Sequence, residues 1–213
     1  MKLDPEEAPT LDLASVDTVL TTARSVRRRL DFARPVEPEV ILESIDVATQ
    51  APTGLGGESW RFLVVTDDAR KRSIADLYRS VLLELVEARA VPLKPTQQSL
   101  IDRLHEIPVM ILVCTTAEQP PTESIAGHVA FYGSILPAAW SLMLALRARG
   151  LGTTWTSLLS SRQAEMADIL DIPPEVVQTI MFPVAYTKNA RLKRAERLKA
   201  RHVTFWDRWG QQR

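Results

Sequence analysis

The chain of 213 residues has one cysteine, three histidines and no excess of charge of either sign. The lone Cys114, inside the apolar run IPVMILVC, cannot close an intrachain disulfide and reads as a small core hydrophobe of a reducing compartment. With 26 basic and 26 acidic residues there is no global field to hold a nucleic acid or an anionic membrane, so any anion site must be local. His105, His128 and His202 show neither zinc-protease spacing nor a neighbouring cysteine cluster, and no GxSxG elbow marks a nucleophile. No GxGxxG follows a strand and no GxxxxGK[ST] is present, which sets aside direct dinucleotide and ATP folds. Residues 1–14 carry four acids and no apolar core segment, so they read as an N-terminal arm of a cytoplasmic protein rather than as a targeting signal.

What is present is enough apolar material for a core: 46% of the residues are hydrophobic, and one domain over 1–213 is expected, with a basic extension at 188–213. Residues 124–146, 23 in all, contain no Asp, Glu, Lys or Arg and approach the length of a membrane span. The stretch also holds Gly127, His128, Tyr132, Gly133, Ser134, Pro137 and Ser141, which suits protein neighbours better than lipid. We therefore expect a buried helix, with a second subunit covering one of its sides.

Apolar spacing predicts a short helix from Ser15, capped by that serine, and a second one opened by Pro38-Glu39 and ended before Pro52. WRFLVVT reads as a strand followed by a long helix, and Val109 to Cys114 as a strand covered on both faces. Between that helix and strand, Pro92 to His105 reads as a polar, mobile connector. The long uncharged helix ends at Gly150-Leu-Gly152, a short helix covers Arg162 to Leu170, and a last strand runs through Val176 to Tyr186. No repeat or low-complexity tract divides the chain, so the fold class is α+β, a few central strands enclosed by helices.

Two basic clusters break the neutral total: Arg24, Arg27, Arg28 and Arg29, and later Lys188, Arg191, Lys193, Arg194, Arg197, Lys199 and Arg201. Guanidinium forks match phosphate oxygens, and Ser25 adds a hydroxyl suited to sugar or ribityl oxygens, although a solvated basic face has the same composition. The segment APTGLGGES holds three of the eight glycines and lies between a helix and a strand, where its backbone can approach a planar ligand. Asp31 and Glu58 could serve as acids or bases, although exposed carboxylates without such a role are the commoner case. Aromatic residues are not interleaved with the basic tail, which argues against stacking on single-stranded nucleic acid.

The string RSVRRRLDFARPVEPEVILESIDVATQAPTGLGGESWRFLVVTD resembles the opening of the FMN-dependent nitroreductase family: an Arg-Ser-x-Arg segment, a Pro-Val turn, a helix, an Ala-Pro-Ser/Thr loop and a Trp-led strand in that order. SILPAAWSLMLALRARGLGTTWTSL resembles the family's interface helix and Gly-Leu-Gly-Thr segment, and VTFWDRWG resembles the ending of an actinobacterial branch. The resemblance spans Val19 to Trp209. It implies a central, mostly antiparallel sheet enclosed by helices in an intertwined homodimer, with FMN at the subunit interface. Carried onto this chain, Arg24, Ser25 and Arg27 would hold the phosphate, ribityl and pyrimidine edge, and Arg197, with Lys193 beside it, would reach the phosphate. Pro52, Thr53, Gly54, Gly56 and Glu58 would form the loop against the ring, and Thr156, Ser157 and Leu158 would pass backbone near N5.

That loop departs from the pattern. Where relatives show Ala-Pro-Ser/Thr-Gly-Ser-Asn-x-Gln-x-Trp, this chain places Gly56 at the Asn and Glu58 at the Gln, losing a side-chain hydrogen bond to the ring. An ionised Glu58 there would disfavour the anionic reduced flavin. The resemblance implies an NAD(P)H-dependent flavin oxidoreductase with a nitroaromatic, quinone or similar conjugated acceptor, and with no protein nucleophile and no metal. The alternative from another class is a non-catalytic carrier or sensor of FMN or another phosphorylated ligand on the same fold.

Overall fold

The computed structural model describes residues 11–54 and 57–213. In chain order the elements are α1 (Leu13–Thr22), β1 (Leu30–Asp31), α2 (Pro38–Ala48), β2 (Trp60–Val65), α3 (Asp68–Ala88), α4 (Pro95–Arg103), β3 (Val109–Thr115), α5 (Ile125–Ala148), β4 (Leu151–Thr153), α6 (Gln163–Leu170) and β5 (Val177–Thr187). Two compact units divide the chain, Met1–Thr22 with Arg191–Arg213, and Ala23–Ala190.

The larger unit is built on an antiparallel sheet ordered β1-β5-β3-β2, with β4 also paired to β5. Every residue of β3 is buried, and its alternation sends Val109, Ile111 and Val113 to one core and Met110, Leu112 and Cys114 to the other. On the first face Ile135, Ala138, Ala139, Leu142 and Leu146 of α5 and Ile41 and Ala48 of α2 close over Ile111 and Phe182. On the second, Ile74, Tyr78 and Leu82 of α3, Leu100 and Ile101 of α4 and Met166 of α6 close over Met110 and Leu112. Each fully buried large side chain, Phe182 or Ile74 for example, contributes roughly 1.5–3 kcal/mol. The sheet is thus the middle of three layers. Burial raises the Cys114 thiol to about 11, which makes it inert.

The segment after Pro92 differs from the expected mobile connector. Pro95 is not a breaker but the first residue of α4, the Lys94 N–H donates to Gln97 Oε1 at 2.9 Å, and Leu100 and Ile101 are core residues. It lies on the face of α3 and α6, away from α5. The uncharged helix forms as α5, capped by Ser124, whose hydroxyl accepts the Gly127 N–H at 3.1 Å. It is long and apolar enough to cross a membrane by length and composition, and half of that apolar window is buried in this fold. It is not enclosed all round: Ile125, Val129, Tyr132 and Trp140 form an exposed stripe at helical spacing.

In the smaller unit α1 begins earlier than Ser15, because Asp12 supplies the cap: its carboxylate accepts the Ala14 N–H at 3.1 Å and the Ser15 hydroxyl at 2.5 Å. The Ser15 hydroxyl bond, then that from Ala14, holds the Asp12 carboxyl below its ordinary value. No α1 residue is buried, and Leu13, Val16 and Leu20 are exposed on one face. Arg194 Nε donates to Thr21 Oγ1 at 3.1 Å, and Phe205 and Trp209 pack ring to ring at 4.7 Å.

Candidate functional site

The first basic cluster is held by main chain. Ser25 forms a parallel bridge with Thr153, the Val26 N–H donates to the Thr153 carbonyl at 2.7 Å, and Thr154 Oγ1 donates to the Val26 carbonyl at 2.9 Å. Ala23 and Val26 are buried while Arg24, Ser25 and Arg27 are half-buried. The segment therefore behaves as a short rail against β4, its backbone bonded at Val26 and its polar side chains at the surface. Gly152 permits the close approach: a Cβ there would lie 2.8 Å from Leu30 and 3.2 Å from Val26. Arg24 Nη1 donates to the Ala23 carbonyl at 2.5 Å, so one edge of its fork is folded back. At the end of β5, Tyr186 donates to Glu37 at 2.7 Å with Arg34 stacked 3.4 Å from the ring centre. That bond lowers the Glu37 carboxyl from its ordinary value and raises the Tyr186 phenol.

The run after β4 continues along β5. The Thr156 N–H donates to the Met181 carbonyl at 3.3 Å, the Thr156 carbonyl accepts the Met181 N–H at 2.9 Å, and Leu158 N–H donates to Thr156 Oγ1 at 3.4 Å. Ser157 is exposed, and its carbonyl accepts the Ser160 N–H at 3.0 Å. Among the described residues the Ser157 amide is the one of these three with no bonded partner. The structure thus brings Arg24, Ser25 and Arg27 beside the run that leads to Thr156, Ser157 and Leu158.

The glycine loop is held mainly by side chains. Thr53 Oγ1 donates to the Gly57 carbonyl at 2.9 Å, and Gly54 N–H donates to Ser134 Oγ at 2.9 Å. Trp60 Nε1 donates to the Ser134 carbonyl at 2.9 Å, and the Ser59 carbonyl accepts the Thr116 N–H at 3.0 Å. Pro52, Thr53, Gly54 and Glu58 are exposed, and the Glu58 carbonyl accepts from Arg61 Nη1 at 3.2 Å. Gly56 lies outside the described residues. Lys193 and Arg197 belong to the smaller unit and are exposed, Arg197 Nη1 donating to the Glu196 carbonyl at 3.3 Å.

Two residues that build the site are absent from the set the sequence points to. Thr154, buried and bonded to Val26, has no sequence signal of its own. Ser134 does have one, as a hydroxyl in an uncharged apolar helix at the level of the glycine loop.

Residues 20–186 match the Nitroreductase family. Among curated proteins, the chain is 26% identical over 179 residues to an iodotyrosine deiodinase of Thermotoga neapolitana, covering 82% of this chain and 90% of that one. It is 29% identical over 171 residues to a 5,6-dimethylbenzimidazole synthase of Rhodospirillum rubrum, covering 75% and 76%. Among solved structures, an oxidized iodotyrosine deiodinase bound to FMN and 3-iodo-L-tyrosine superposes with a TM-score of 0.66 at 24% identity, over 90% of this chain and 100% of that one. With most of its sheet and both its helical layers inside the matched span, the chain belongs to the nitroreductase family.

Proposed function

We propose that this protein is a cytoplasmic, homodimeric FMN oxidoreductase that passes a hydride from NAD(P)H to a nitroaromatic, quinone or similar conjugated acceptor. The observation that carries the reading is the backbone junction between the Arg24 to Arg27 rail and the run from Thr153 to Thr156. It joins a segment carrying two arginines and a serine to the run that leads to the open Ser157 amide, which is the donor set a phosphorylated, ring-bearing cofactor requires. The similar deiodinase structure holds FMN, which supports the same group here. When bound, FMN would supply the two-electron chemistry.

The chain's own residues do the rest. Arg24 and Arg27 would neutralise phosphate charge, and Ser25 would meet a polyol oxygen. Thr156 spends its amide on Met181 and so acts as a fixed post, and the Ser157 amide would be the donor offered to the ring of a bound FMN. Pro52, Thr53, Gly54 and Glu58 would present backbone to the ring face. The exposed stripe of Ile125, Val129, Tyr132 and Trp140 on α5 supports a second copy as its cover, since apolar surface of this kind is otherwise left in water.

Glu58, standing where the family pattern carries Gln, favours a second reading: a protein that binds FMN and does not turn over. FMN-loaded protein treated anaerobically with NADPH or NADH separates the two. Bleaching of the flavin absorbance, reversed by a quinone, is the expected result; bound FMN with no bleaching would establish the carrier, and no FMN uptake would overturn both.

A further inference from the structure

A serine within an apolar helix commonly returns its hydroxyl hydrogen to the carbonyl four residues back and makes no further contact. Ser134 does so, donating to Ala130 at 2.7 Å, but its oxygen also accepts the Gly54 N–H at 2.9 Å from the loop 80 positions earlier. In the same residue, the Ser134 carbonyl accepts Trp60 Nε1 at 2.9 Å. Both ends of the glycine loop are thereby tied to a single residue of α5. The fit is steric as well as polar: a Cβ on Gly54 would lie 2.6 Å from Ser134 Oγ, and the next atom, the Ala130 carbonyl oxygen, is 3.8 Å away. Gly54 is not in the left-handed region, so among the described residues Ser134 Oγ is the one atom within 3.4 Å that stands against a side chain there.

We infer that Ser134 is the positioning residue of the glycine loop, holding the Gly54 backbone at the distance from α5 at which the loop meets the cofactor ring. The inference rests on the FMN reading above. Because Gly54 is exposed, water replaces the lost acceptor when Ser134 is truncated, so the loop shifts while the core stays intact.

The experiment measures FMN affinity by flavin fluorescence, the visible band shape of bound FMN, hydrogen exchange at the Gly54 amide and the melting temperature of flavin-free protein. The proteins compared are wild type, Ser134→Ala, Ser134→Thr, Gly54→Ala and the double variant. Ser134→Ala is expected to bind FMN roughly two- to tenfold more weakly, to alter the band shape and to exchange Gly54 faster, with the melting temperature moved by no more than about 2 °C. Ser134→Thr, which keeps the hydroxyl, is expected to restore wild-type affinity.

Gly54→Ala is expected to lose more than Ser134→Ala. In that background removal of Oγ relieves the clash, so the double variant should bind FMN more tightly than Gly54→Ala alone, a reversal of sign that a general packing role cannot produce. Wild-type uptake of FMN with unchanged affinity in Ser134→Ala, or a double variant no better than Gly54→Ala, would overturn the inference alone. A wild-type protein that takes up no FMN would overturn the FMN reading and the inference with it.

Discussion

The rail from Arg24 to Arg27 and the loop from Pro52 to Ser59 are both proposed to meet the cofactor, yet they are held by different kinds of bond. Val26 is fixed by its N–H to the Thr153 carbonyl and by its carbonyl to the Thr154 hydroxyl, so the hold acts on the rail's main chain whatever side chains Arg24, Ser25 and Arg27 carry. The loop is fixed mainly through side chains, those of Ser134, Thr53 and Trp60, with one main-chain bond from Thr116 to Ser59 at its end. A rail of this kind can carry any side chains without losing its place. The loop's position depends on particular residues. Substitutions should accordingly separate the two: at Arg24 and Arg27 they remove ligand contacts and spare stability, and around the loop they move structure.

Trp60 is the strongest test on the loop side. It is buried in the α2/α5 core as well as bonded to Ser134, so Trp60→Ala is expected to cost about 3–5 kcal/mol in chemical denaturation. A loss below about 1 kcal/mol would mean that the loop is held elsewhere.

On the rail, Arg24→Ala and Arg27→Ala are each expected to weaken FMN retention by about 1.5–3 kcal/mol with unchanged denaturation midpoints. Equal retention in both variants and wild type would break the comparison, since the rail would then carry no ligand contact. Thr154→Val probes the rail's one side-chain bond. It leaves the Val26 carbonyl short of a partner in a buried place and should cost about 1–3 kcal/mol of stability. Its effect on FMN affinity should be the smaller of the two readouts.

The smallest expected effect is that of Glu58→Gln, which removes one exposed carboxylate from the loop. Removing negative charge near a ring that gains charge on reduction should raise the flavin reduction potential and leave stability untouched. An unchanged or lowered potential would show that the Glu58 carboxylate faces away from the ring.

Strong periodicity makes much of the fold legible in the sequence alone. The apolar run from Val109 to Cys114 is buried on both sides because helices cover both faces of the sheet, and Pro38-Glu39 opens α2 as expected. The failures have physical causes. In α4, two apolar residues, Leu100 and Ile101, sit among Gln97, Gln98, Asp102 and Arg103, too few to give a period, and Pro95 serves as a helix start while reading as a breaker. β1 and β4, two and three residues long, are shorter than one alternation cycle can declare and form only because β5 offers them partners.

At the site, the Arg-Ser-x-Arg segment is legible as chemistry because its residue types are unusual together. Thr154 is not, because its role depends on a chain neighbour 128 positions away. Ser134 lies between the two: the hydroxyl stands out in α5, but its partner in the loop is a contact that only the folded chain supplies.

The central claim, that one FMN is held by each chain through the Arg24 to Arg27 rail, is tested most directly by the absorbance spectrum of protein purified and then saturated with FMN. The account predicts flavin bands in the blue and near ultraviolet at a stoichiometry close to one per chain, lost on desalting from the double variant Arg24→Ala/Arg27→Ala and kept by wild type. Wild-type protein that passes through desalting colourless, or a double variant that keeps the same bands, would contradict it.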